Sequence, residues 1–184
     1  SKKFIFQFYP TKEIEIISDS IRKQLFDHNF EIFSKNNYIR EGNDKLPNPQ
    51  KFIRNLAQKG INLQKLKIGL ISNETADGFK DFKKFIYSKD YKDYIIFENV
   101  TLNIENIIKS INSLQNRCQM LCIVRGGGNG LEIFDNYEIA KAIAESRPIT
   151  ITGVGHTTNK SLSDYVSNYD AQLPAMAASF IRRI

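Results

Sequence analysis

The sequence predicts a three-layer α/β domain built on a parallel sheet, preceded by a small N-terminal extension. Three observations carry that reading. From Lys65 onward, short runs of Ile, Val, Leu and Phe alternate with amphipathic stretches, the pattern of successive βαβ units. Those runs are apolar at consecutive positions, as strands are when helices cover both sheet faces. A chain of 184 residues, 41% hydrophobic and 25% charged, is long enough for one packed core and too rich in apolar residues to stay disordered.

Four strands are predicted, over residues 67–72, 94–100, 120–124 and 148–153. Between them lie three helices. The first, over residues 75–87, places Phe79, Phe82, Phe85 and Ile86 on one face and its lysines toward water. The second, over residues 103–116, carries Ile104, Ile107, Ile108, Ile111 and Leu114 at helical spacing. The third starts at Asp135 or Asn136, either of which can cap it, and buries Ile139, Ala142 and Ile143. Residues 161–167 suit a short helix, and Pro174 suits the first turn of another that runs to Ile184 without a stop signal, as expected of a piece of a longer chain. Together these elements make a Rossmann/flavodoxin-like core over residues 46–184. In the extension, residues 1–45, Phe4, Phe6 and Phe8 alternate like a strand and Thr11 can cap a helix carrying Ile14, Ile17, Ile21 and Leu25. Asn48-Pro49, closed by Gly60, frames a further helix around Phe52, Ile53 and Leu56.

Several function classes drop out. No apolar run approaches the eighteen or so residues of a membrane span, and the basic start lacks the apolar centre of a secretion signal, so a cytoplasmic location without membrane attachment is expected. Cys118 and Cys122 read as reduced thiols, and two cysteines with two distant histidines do not make a four-ligand zinc site. The net charge of +6 is compatible with an anionic partner but is spread along the chain.

In open α/β sheets the working crevice lies beyond the carboxyl ends of the strands. The third strand runs into Arg125-Gly126-Gly127-Gly128-Asn129-Gly130 and the fourth into Gly153-Val154-Gly155-His156-Thr157-Thr158-Asn159, so both loops open on one edge. Consecutive glycines let backbone N–H groups approach an oxyanion, and Arg125 adds a charged planar fork. The plain alternative is a flexible turn beside a solvated arginine. Nucleotide fingerprints fail: Gly130 is followed by Leu131-Glu132 rather than Lys-Ser or Lys-Thr, and Leu131 and Thr158 stand where dinucleotide loops need glycine or alanine. His156, in a polar loop, suits a general acid or base or a phosphate ligand, with Arg125 balancing charge that develops on phosphorus. Asp81 and Asp164 are the carboxylates placed to orient the histidine, position water or hold a divalent metal, with Mg2+ the candidate cofactor.

The stretch Cys122-Ile123-Val124-Arg125-Gly126-Gly127-Gly128, then Leu131-Glu132, Phe134-Asp135, Gly155-His156 and Asp164-Tyr165-Val166, resembles the large subunit of exodeoxyribonuclease VII from about Lys65 to Ala178. The resemblance implies a single-stranded DNA exonuclease that releases short oligonucleotides, with Asp81, Arg125 and His156 at positions tied to activity. It also implies single-stranded DNA and the small subunit as partners, although the helical region that docks the small subunit is not recognised here. The family reads Gly-His-Glu-Thr-Asp where this chain reads Gly155-His156-Thr157-Thr158-Asn159, and Arg-Ala-Pro-Thr-Pro where this chain has Asp170-Ala171-Gln172-Leu173-Pro174. With Asn159 at the fourth catalytic position, the alternative is an impaired homologue that binds single-stranded DNA or phosphate. A small-ligand binder of the same fold is a third reading.

Overall fold

Five strands, each pairing parallel to its neighbour, form the sheet: β1 (Ile68–Ser72), β2 (Ile95–Asn99), β3 (Met120–Val124), β4 (Ile149–Gly153) and β5 (Tyr169–Asp170), in spatial order β2-β1-β3-β4-β5. The structure is a computed structural model that describes residues 66–86, 91–126, 130–155 and 161–182, with Arg54, Ala57, Gln58 and Gly60. The helices are α1 (Asp77–Ile86), α2 (Tyr91–Tyr94), α3 (Ile104–Leu114), α4 (Tyr137–Glu145), α5 (Leu162–Val166) and α6 (Pro174–Arg182), with a 3-10 turn over Leu131–Asp135 before α4. No helix among the described residues is long and apolar enough to cross a membrane.

Successive strand residues point to opposite faces, and here both faces are apolar. Ile71, Leu121 and Ile123 pack under α3, α4 and α5. Ile68, Leu70, Met120, Cys122 and Val124 pack under α1 and α6, where the Tyr169 and Phe180 rings lie 4.1 Å apart. Phe82, Ile107, Ile111 and Ile143 are essentially sealed from water, each worth roughly 1.5–3 kcal/mol of burial. Asparagine caps set two helix starts: Asn103 accepts from the Asn106 N–H at 2.8 Å and Asn136 from the Ile139 N–H at 3.1 Å. Asn136 thereby settles the start of α4, and Asp135 instead accepts from the Leu162 N–H at 3.0 Å.

The sequence expectation needs four corrections. The fifth strand was not foreseen, because two residues carry no periodicity. Helix α1 starts at Asp77 rather than Thr75, since Asn73 folds 73–76 into a turn by accepting from both the Thr75 N–H and hydroxyl. Phe85 is 47% exposed and Ile104 39%, so both lie off the buried stripes of their helices, and in α4 Ala140 and Ala144 are buried where Ala142, expected to be, is only partly so. Strand β2, at the sheet edge, is only partly covered. Arg54, Ala57 and Gln58 are helical and Gly60 turns with φ +74°, as a closing glycine does. The expected elements of residues 1–45 and the Asn48-Pro49 helix start lie outside the described residues, as do Gly127, Gly128, His156 and Asn159.

Candidate functional site

The strand order reverses between β1 and β3, and the crevice lies beyond their carboxyl ends. Ser72 closes that end by donating its hydroxyl to the Val124 carbonyl at 3.0 Å. Helix α1 then begins against the exit of β3. A Cβ on Gly78 would stand 2.1 Å from the Gly126 nitrogen and 2.5 Å from the Arg125 carbonyl carbon, and one on Gly126 would stand 2.5 Å from the Gly78 nitrogen. Only glycine fits at either place, so the first turn of the helix and the start of the glycine loop share one backbone contact. Gly78 was not legible as a site residue, because a glycine near a helix start reads locally as weak propensity and its partner is 48 positions away.

Arg125 leaves β3 at the middle of the sheet with 8% of its surface exposed, its N–H bonded to the Gly153 carbonyl at 3.0 Å. The guanidinium reaches back to Gly130, where a Cβ would stand 3.8 Å from Nη2. Burial pulls its pKa down from the ordinary value and nearby Glu132 opposes the shift. It remains a cation at any working pH, and its partly dry setting strengthens its attraction for an anion.

The neighbouring strand delivers the second loop to the same place. Val124 is in register with Gly153, and two residues on Gly155, at φ +91°, lies over the Arg125–Gly126 peptide: a Cβ there would be 3.1 Å from the Arg125 carbonyl oxygen. The Gly155 N–H is held by the Gln172 carbonyl at 2.8 Å. Gln172 itself takes φ +67° in a turn whose N–H donates to the Asp170 carboxylate at 2.8 Å. Asp170 is thus buried and engaged with the turn that supports the His156 loop.

Asp164 also works at that loop. Its Oδ1 accepts from the Thr152 hydroxyl at 2.7 Å, and its Oδ2 from the Ser161 N–H at 2.8 Å and hydroxyl at 2.6 Å. One buried carboxylate therefore ties the end of β4 to the start of α5, the two stems between which His156 and Asn159 lie. Asp81 sits one turn beyond Gly78, exposed to water. Arg125, Gly126, Gly78 and Gly155 come together, while Asp81 and Asp164 occupy separate elements. Among the described residues no three His, Cys, Asp or Glu side chains converge into one group.

The fold is a doubly wound α/β domain whose crevice lies at the switch point of a parallel sheet. Residues 52–183 match the family model described as exonuclease VII, large subunit, and the chain belongs to that nuclease family. Its relatives include proteins named exodeoxyribonuclease 7 large subunit. That of Clostridium kluyveri is 32% identical over 130 residues, covering 66% of this chain and 32% of the relative. The Clostridium tetani protein is 31% identical over 121 residues (61% and 30%), and the Legionella pneumophila protein 28% over 123 residues (62% and 28%). The matched region spans about a third of the length of these relatives.

Proposed function

We propose that this domain carries the phosphodiester-hydrolysing centre of a single-stranded DNA exonuclease of the exonuclease VII type, acting in the cytoplasm with a small subunit. Arg125 holds the non-bridging oxygens of the scissile phosphate, joined by the N–H groups of Gly126, Gly127 and Gly128. His156 moves the proton as general acid or base, with Asp81 and Asn159 beside the reacting group. The observation that carries this reading is the buried Arg125 at the end of β3, wedged between two backbone approaches that only glycine permits. A guanidinium held in a partly dry strand end attracts an anion more strongly than it would in water, and a phosphate oxygen matches its fork.

A second reading, a DNA-binding module without hydrolysis, is favoured by Asn159, since an amide neither carries negative charge nor accepts a proton. A labelled single-stranded oligonucleotide, incubated with the protein with and without small subunit, magnesium or chelator, separates the two. Short products that disappear with Arg125→Ala support hydrolysis. Intact oligonucleotide under every condition, with binding that Arg125→Ala weakens by on the order of thirtyfold, supports the binding module.

A further inference from the structure

Strand β2 is at the sheet edge, where Ile95 is buried and Phe97 only partly covered. A cleft of about 180 Å³ opens there. Leu70, Phe82, Ile86 and Ile95 make its apolar floor, and Phe79 and Phe97 lie beside it with ring centroids 4.6 Å apart and planes within 12° of parallel. Among the described residues, Lys83 is the charged one that lines it, and no carboxylate does. Lys80 and Lys84 are exposed on the same helix; Asp77 and Asp81 offset part of that charge, with Asp77 3.8 Å from Lys80. Phe79 directly follows Gly78, whose backbone touches Gly126 in the crevice. From Gly78 to Lys83 is about 7.5 Å along the helix axis.

We propose that this cleft is a base-stacking subsite for single-stranded nucleic acid, taking the nucleobase next to the phosphate held at Arg125. The inference rests on the reading of that crevice as a phosphodiester site. An aromatic wall flanked by lysines is how proteins grip single strands, since every base offers a π face and every linkage a negative charge. The volume suits the guest: a cavity of about 150 Å³ is enough to take one benzene ring. The lining is apolar apart from Lys83, so the subsite holds any base without hydrogen-bond readout. Charge complementarity sets this occupant apart from an apolar peptide: Lys83 lines the cleft, and the helix that bears it carries three lysines against two aspartates.

The test compares binding of the full chain to an oligothymidylate and to an abasic strand with the same number of phosphates, by fluorescence anisotropy at fixed salt. The expected result is about tenfold tighter binding of the base-bearing strand, reduced to parity by Phe97→Leu or Phe79→Leu with abasic affinity unchanged. A strand carrying 5-bromouracil, irradiated on the protein, is expected to crosslink to the peptides bearing Phe79 or Phe97. Equal affinity for both strands in the parent, the result if another chain segment or a peptide fills the cleft, overturns the proposal. So does a base preference that survives both substitutions, or crosslinks confined to other peptides. Cleavage without base preference leaves the hydrolytic reading standing and removes the subsite; base preference without cleavage does the reverse.

Discussion

Gly78→Ala pits two opposing effects against each other, and the structure decides the sign. Gly78 lies inside α1 and is not among the positive-φ glycines, so alanine gains about 1 kcal/mol of helix propensity there. The new Cβ, however, falls 2.1 Å from the Gly126 nitrogen, whereas ordinary contact begins near 3.4 Å. The difference, 3.4 less 2.1, is 1.3 Å that the helix start or the β3 exit must yield. Both obstacles are backbone, so no side-chain rotation relieves them. Overpacking of this kind costs about 1–3 kcal/mol or more, and at the upper end it outweighs the propensity gain, for a net loss of about 2 kcal/mol. For a chain of this length that lowers the melting temperature by about 4–8 °C. Circular-dichroism melts of the parent, Gly78→Ala and the exposed-face control Lys84→Ala measure it, and oligonucleotide binding should fall as well, because Arg125 moves with the displaced peptide. A Gly78→Ala protein as stable as the parent, or more so, would refute the close approach and the site geometry built on it.

Other expected outcomes follow from the same contacts. Asp164→Asn sets an amide against the Ser161 N–H and removes the charge from three hydrogen bonds, so urea unfolding should show a loss of about 2–3 kcal/mol; an unchanged midpoint would remove the stem bridge from the argument. Burial pushes the Cys118 thiol up from 9.0 to about 11, so the folded state keeps its proton while the unfolded chain loses it. Stability should therefore hold below pH 9 and fall between pH 9 and 11, by up to about 2–3 kcal/mol, and Cys118→Ala should flatten that part of the profile measured by denaturant titration. Asn159→Asp puts a carboxylate three positions after His156 in the sequence and should raise cleavage about tenfold or more in a labelled-oligonucleotide assay; an unchanged rate above background would show that the carboxylate is dispensable.

Strands β1 to β4 were readable to within a residue because burial on both faces makes each an unbroken apolar run, and Asn103, Asn136, Ser161 and Pro174 announce their helices through chemistry confined to one turn. What stayed hidden is non-local. The partner of Gly78 is set by how α1 docks on β3. The exposure of Phe85 depends on how α6 packs across α1, where Arg182 donates to the Phe85 carbonyl at 3.2 Å. The brevity of β5 leaves no pattern to detect. At the site, Arg125 and its glycines were legible as a strand-end motif. The work of Asp164 was not, because a carboxylate that braces a loop and one that holds a metal look alike in one dimension.

The bridge from Thr152 through Asp164 to Ser161 is made by residues outside positions 156–160. The clasp is therefore anchored wholly in the flanks of that segment: one foot stands on the last residues of a strand held in the sheet, the other on the first turn of a helix, and a single carboxylate spans the gap. Undoing it takes the loss of one side chain, and both feet come free together.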